Sequence, residues 1–368
     1  MLGLAVTSCA AEFDPTPDWQ REGETVTVFG YGNEEADVCP GTFEALDRVA
    51  VGIADYHGFD PAQLQIEYHW VNADRFYAEP WCPNGASGCA GDKRVKAPTI
   101  IHFHELSHAV DQAYLPYRSS PLAEGFATIH RGPTAAGFEL GEHAGHDAPE
   151  HWGDIVQIFV DQPAYAAQFG RVGHFTTFLV DRYGIGAVND LSARVGEDAS
   201  LVDWRRELNQ TLGDPFGDVM DHYANYQPCT TDQFRSKIWE CAGEVDFTLS
   251  PDSESFEVPV DLGCSDPRAI GVDGGSLKTY RRFTVEGVAT AAYYRFELAD
   301  GTGELAHGRL LIERCDVGCS PNTLEATAWG QPLPQFEGQE TTVHVLTPGS
   351  YTVVFRGRGA HTLSVSVE

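Results

Sequence analysis

Two hydrophobic periodicities divide the chain. In the first part, apolar residues mostly recur three and four positions apart, with a few alternating runs between them. Thr25-Val-Thr-Val-Phe29 alternates and is β-branched, which predicts a strand. Phe43, Leu46, Val49 and Ile53 predict an amphipathic helix that Gly58 ends. Leu64, Ile66, Tyr68 and Trp70 alternate with Gln65, Glu67 and His69, a second strand. A loop of Gly, Pro and Asn bounded by Cys82 and Cys89 follows. Phe103, Leu106, Val110 and Ala113 then return to helical spacing, with Pro98 suited to the helix start and Pro116 forbidding continuation. Further helices are expected over Ser120–Ala127, within Val172–Gly184, and over Phe216–Tyr226. Another opens at a Ser200/Asp203 capping box, carries Trp204, Leu208 and Leu212, and stops at Gly213.

Beyond about Asp246 the helical period disappears. Short alternating runs take over at Ser255–Val260, Lys278–Glu286, Tyr293–Leu298, Arg309–Glu313, Thr341–Val345, Tyr351–Arg356 and His361–Val367, separated by Gly, Pro and Asp. Regular short strands with turn signals predict an all-β sandwich. The expected class is therefore α+β, with an N-terminal segment 1–20, a mixed domain 21–245 and a β-sandwich 246–368.

Composition adds two constraints. The chain has 368 residues, 42% of them hydrophobic, enough for two cores. Its net charge of −30 excludes a phosphate-binding surface, and so nucleic acid, and gives no electrostatic grip on anionic lipid. No apolar run approaches the ~20 residues of a spanning helix.

Candidate chemistry concentrates in the helix around Leu106. His104-Glu105-Leu-Ser-His108 places two imidazoles one helical turn apart on one face, separated by roughly 6 Å of rise. Glu105 stands at the edge of that face. Two neutral nitrogen ligands, with a carboxylate beside an open position to take a proton from water, are what a zinc hydrolase requires. Downstream stands Ala123-Glu124-Gly125-Phe126-Ala127. The pair of segments resembles the gluzincin metallopeptidases, the group that includes thermolysin-like enzymes and zinc aminopeptidases. The resemblance implies His104, His108 and Glu124 as zinc ligands and Glu105 as general base. It also implies that Gly125 lets the second helix approach the first closely. The metzincin alternative fails, because its third His would fall at Tyr114. Two departures stand out. The gap of fifteen residues between His108 and Glu124 is shorter than is usual in thermolysin-like enzymes. Thr128 occupies the place of the Asp that supports a zinc-bound His there, which leaves Asp111 as a candidate for that task.

The same resemblance offers His174 or Tyr165 as oxyanion stabiliser. Val172–Gly184 is also similar to a helix of small bacterial gluzincin-like proteins. The His-rich tract 132–151, with the neighbouring His130 and with His143, His146 and His151, reads as a solvated loop, the alternatives being a metal-binding stretch, part of the cleft or a different third ligand; Asp300-Gly-Thr-Gly-Glu304 reads as a hairpin turn in preference to a calcium loop. Leu346-Thr-Pro-Gly-Ser-Tyr-Thr-Val-Val-Phe355 resembles β-sandwich modules appended to secreted bacterial peptidases.

Val6-Thr-Ser-Cys9-Ala resembles a bacterial lipobox, and the acidic, Pro-rich residues 12–18 resemble the tether that follows one. The resemblance implies a lipid on Cys9, membrane anchoring through it, and a signal sequence upstream of Met1. The other eight cysteines form an even set, which suggests disulfides and an oxidising compartment. Cys82–Cys89 and Cys229–Cys241 are the local pairs expected. Cys315-x-x-x-Cys319 also has metal-ligand spacing, without a second Cys/His pair nearby. The expectation is an exported zinc metallopeptidase, a bacterial outer-membrane lipoprotein or secreted, acting on protein or peptide. The rival is a surface-tethered binding lipoprotein whose zinc site is vestigial or structural. Metal analysis separates the two only when joined to a hydrolysis assay. The residues fix neither side-chain preference nor oligomeric state.

Overall fold

The computed structural model describes residues 15–82, 86–115, 120–131, 169–196, 199–226, 234–250, 252, 255–273, 277–288, 292–300, 309–315, 319 and 341–367. It is a mixed α+β structure with three sheets. The expected segments at Cys9, Tyr165, 132–151 and 301–304 lie outside the described residues.

The first sheet has the order β1-β2-β3-β5-β4, from Trp19–Glu22, Val26–Tyr31, Ile66–Val71, Arg94–Ala97 and Cys89–Gly91. The inner strands β2, β3 and β5 run parallel, while β1 and β4 close the two edges antiparallel. Alternation decides the faces. Val26, Val28, Ile66, Tyr68, Trp70, Val95 and Ala97 point to one side. There two helices cover them, α1 (Pro40–His57) through Leu46, Val49 and Ile53, and α3 (Phe103–Tyr114) through Phe103, Leu106 and Val110. The opposite face carries a smaller cluster of Tyr31, Val71, Phe76 and Trp81, to which the short helix α2 (Ala73–Ala78) contributes. Gly58 ends α1 in the left-handed conformation expected of it, φ 73°.

Helix α3 begins at Phe103, not near Pro98. Residues 99–102 are held as a non-helical lead-in: the Tyr68 hydroxyl donates to the Thr99 carbonyl at 3.0 Å, and His102 has φ −145°. The helix stops at Tyr114, short of Pro116.

A second core joins α4 (Ser120–Ile129), α5 (Phe169–Tyr183), α6 (Ile185–Val195), α7 (Leu201–Leu212) and α8 (Phe216–Ala224). The capping box at Ser200 and Asp203 forms both of its reciprocal bonds, and Gly213 is left-handed at φ 78°.

The C-terminal strands form two four-stranded sheets. One is β10-β12-β8-β6 (Arg309–Arg314, Gly349–Gly357, Leu277–Val285, Phe247–Leu249). The other is β11-β9-β13-β7 (Thr341–Leu346, Ala292–Asp300, Gly359–Val367, Phe256–Leu262). Residues of both sheets, among them Phe283, Phe296, Tyr351, Phe355 and Leu363, share one core.

This half does not stand apart from the first. Tyr280 and Val354, on the other face of β8 and β12, belong to the core under α1. Two disulfides cross the expected boundary, Cys39–Cys264 and Cys241–Cys315. The second corrects the expected Cys229–Cys241 pair: Cys241 bonds a strand end far away in sequence. Cys82–Cys89 forms as expected. Cys319 is disulfide-bonded too, so Cys315 and Cys319 are not a thiolate pair for a metal. Disulfides fit an extracytoplasmic setting. Among the described residues, no helix is long and apolar enough to cross a membrane.

The junction also buries charge. Arg235 donates to Glu240 at 2.7 Å and pairs with Glu313 on β10. Lys278 lies close by, its ammonium pushed down to about 7 by burial, with Arg356 and Arg235 adding to the shift and Glu240 opposing it. A lysine whose folded pKa lies below its unfolded value lowers stability most where the unfolded chain is protonated and the folded one resists it. The penalty is therefore fully present below about pH 7 and fades as pH rises towards the ordinary lysine value. Lys278→Met should gain stability relative to the wild type by about 2 kcal/mol more at about pH 7 than at about pH 9. Denaturant midpoints at the two pH values measure this.

Candidate metal centre

The candidate centre draws on two packed helices, α3 on the first sheet and α4 in the second core. On α3, His104 and His108 stand four apart, and the buried residues Leu106 and Val110 fix which face turns away from the core. On α4, Glu124 reaches both imidazoles. His104 Nε2 lies 3.3 Å from Glu124 Oε2, and His108 Nε2 lies 3.4 Å from Oε1. The two rings are nearly perpendicular, 88°, with centroids 4.9 Å apart. One ligand atom from each of the three residues falls within 4.8 Å of the others. The side chains keep 13%, 10% and 23% of their surface exposed, so solvent reaches the group.

The donor set fits a divalent metal. Glu124 Oε2 is buried and lacks a hydrogen bond of acceptable geometry, although an imidazole nitrogen lies 3.3 Å from it. A carboxylate whose two oxygens each face one imidazole nitrogen suits a shared cation. Two imidazoles and one carboxylate are a zinc-type ligand set. Burial pushes the Glu124 carboxyl up, but the adjacent imidazoles of His104 and His108 outweigh it and hold the group well below the usual carboxylate range. Glu124 is therefore an anion at neutral pH, as a ligand must be.

The supporting residues differ in part from those expected. Thr128, one turn after Glu124, donates to the Glu124 backbone carbonyl at 2.8 Å. Asp111 lies 3.4 Å from His57 on α1, whose Nδ1 meets Asn189 Oδ1 on α6 at 2.8 Å. All three are buried. That chain ties α3 to α1 and α6. Gly125 permits a close helix approach, but to α5 and not to the metal-motif helix. A Cβ there would lie 2.0 Å from Thr176 Oγ1 and 3.1 Å from the Val172 carbonyl oxygen. The reason is angular: with Glu124 turned to α3, its successor points about 100° around the helix.

His174 is fully buried on α5. Its Nδ1 lies 3.0 Å from the Tyr223 hydroxyl, and its ring packs near Tyr226 and Phe234. It is not a member of the His104–His108–Glu124 group.

Sequence reasoning missed two neighbours. His102 precedes the motif by two positions, its ring 6.3 Å from that of His104. Burial, with smaller contributions from His104, Arg131 and His108, pushes its pKa down to about 3, so the ring is neutral. Its alternation with His104 was the available signal. Tyr68 is the other. Burial and then the nearby charge of Glu105 push its phenol well above its ordinary range, which keeps it a neutral donor to Thr99. It read as an ordinary inward-facing strand residue.

No protein-family model and no curated protein matches the chain. Among solved structures, the chain is similar to the 1.0 Å crystal structure of the pre-peptidase C-terminal domain of a collagenase from Bacillus anthracis. The identity is 14%, over 34% of this chain and 99% of that one, with a TM-score of 0.21. At that score the likeness decides neither fold nor activity.

Gly125→Ala should weaken metal binding by roughly 10–100-fold, as changes behind a metal ligand do. The added methyl has no room against Thr176 and pushes on the helix that carries Glu124. Competition with a chromophoric chelator measures the affinity.

Proposed function

We propose that the chain is an exported zinc metallopeptidase of the gluzincin type. The zincin-like domain would span about 21–245 and be followed by a β-sandwich module. The observation that carries the proposal is the convergence of His104, His108 and Glu124, from two helices, on one point. Support also comes from Glu105, next to the first ligand on the same helix, and from the disulfides, which suit export.

His104, His108 and Glu124 would hold the ion. A zinc ion bound there would polarise a scissile carbonyl and lower the pKa of water in its coordination sphere. The protein's own part is proton traffic and geometry. Glu105 accepts a proton from the attacking water and returns it to the departing amine. The neutral ring of His102 adds no positive charge to compete with the cation. The His57–Asp111 pair fixes the far end of α3, so the two imidazoles keep their spacing. The lipid on Cys9 belongs to the same proposal, as the anchor of the exported enzyme at a membrane.

Glu105→Gln should retain about one zinc per chain and lose roughly 10²–10⁴-fold in kcat/KM on an unfolded protein substrate. Metal analysis beside a quenched-fluorophore hydrolysis assay reads both. A variant as fast as the wild type contradicts the assigned base. A metal-loaded wild type that cleaves nothing contradicts the peptidase.

A further inference from the structure

Beside the Cys82–Cys89 disulfide, the short turn at residues 86–88 leads into β4, and Gly88, one position before the strand, is buried. A Cβ at Gly88 would lie 2.9 Å from Glu105 Cγ and 3.0 Å from His102 Nε2. Carbon atoms in good contact sit at about 3.5–4.0 Å, so no side chain fits between the turn and these two residues. The backbone of Gly88 is not in the left-handed region. Its conformation does not require glycine; the crowding against Glu105 and His102 does.

The turn is held from three directions. Cys89 is bonded to Cys82 and pairs with Lys96 on β5. Its neighbour Ala90 accepts a hydrogen bond at 3.5 Å from Gln112, which lies on the same helix as Glu105. The edge strand is thus fastened to β5 and, through Gln112, to the helix that carries Glu105.

We propose that Gly88 is a positioning residue for Glu105. The disulfide-closed turn seats the aliphatic stem of Glu105 beside His102 and limits its rotamers, so the carboxylate stays in one orientation next to the metal ligands. The inference rests on the role of Glu105 as base. It adds that the Cys82–Cys89 disulfide serves turnover as well as stability.

The test compares Gly88→Ala, Gly91→Ala and the double variant Cys82→Ser/Cys89→Ser with the wild type, all as full chains. Gly91 lies at the end of β4, the strand that Gly88 immediately precedes, and a Cβ there would meet nothing within 4 Å, so Gly91→Ala should match the wild type throughout. Gly88→Ala should keep its zinc, lose roughly 10–100-fold in kcat, and change KM by less than about threefold. Displacements of about 1 Å at a reacting group have effects of that size. Its crystal structure should show Glu105 Cγ displaced or in another rotamer. Should Gly88→Ala fail to fold, the double serine variant carries the test, with Glu105 spread over more than one rotamer and a lower kcat. Glu105 in its wild-type position, or a kcat equal to that of the wild type, overturns the proposal. A wild type inactive on every peptide, with Glu105 displaced in Gly88→Ala, leaves the seating intact and removes the peptidase proposal instead.

Discussion

A carboxylate on one helix must meet two imidazoles on another, and both helices need reasons to stay where they are. Glu124 lies 3.3 and 3.4 Å from the two ring nitrogens. Neither helix has much freedom to drift. Helix α3 is wedged against the sheet by Phe103, Leu106 and Val110, pinned at its lead-in by Tyr68, and tied at its far end by Asp111 to His57. Helix α4 is pressed onto α5 at Gly125, where even a methyl group would collide. Close packing of this kind transmits strain, so residues well behind the ligands set the ligand positions.

The C-terminal sheets belong to the same mechanical unit. One face of the β10-β12-β8-β6 sheet contributes Tyr280 and Val354 to the core beneath α1, and two disulfides fasten the contact. The buried Arg235–Glu240–Glu313 group occupies the seam. Replacing such a group by apolar residues of similar volume often costs little stability, whereas breaking it by removing one partner costs several kcal/mol. The junction therefore reads as a fixed docking with a defined register, in contrast to two beads on a flexible linker.

Much of this was legible from periodicity. Phe43 to Ile53 gave α1, Ser200 with Asp203 gave the start of α7, and the runs after residue 255 gave seven strands close to their observed limits. What escaped had a weak local signal. Strand β5 holds Arg94 and Lys96 among four residues, and its apolar partners Val95 and Ala97 are too few to show a period. Helix α3 starts five residues after Pro98 because Tyr68, distant in sequence, holds the lead-in. The Cys241–Cys315 pair depends on how the β-sheets dock, which no local spacing encodes. In the candidate site, His104, His108 and Glu124 came together as a group that could hold a metal, because side-chain type and helical spacing are both readable along the chain. Gly88, His102 and Tyr68 act through the fold, and the sequence marks them only as a glycine, a histidine and a strand tyrosine.

The central claim is that one metal ion sits between two imidazoles and the Glu124 carboxylate. X-ray absorption spectroscopy of the full-length protein loaded with one equivalent of zinc tests it most directly. The account requires a low-coordinate shell of nitrogen and oxygen at about 2.0–2.2 Å, with the outer-shell scattering of two imidazoles and no sulfur. Loss of one light-atom ligand in Glu124→Ala should leave that imidazole signal in place. A shell containing sulfur at about 2.3 Å, or one without imidazole scattering, would contradict it.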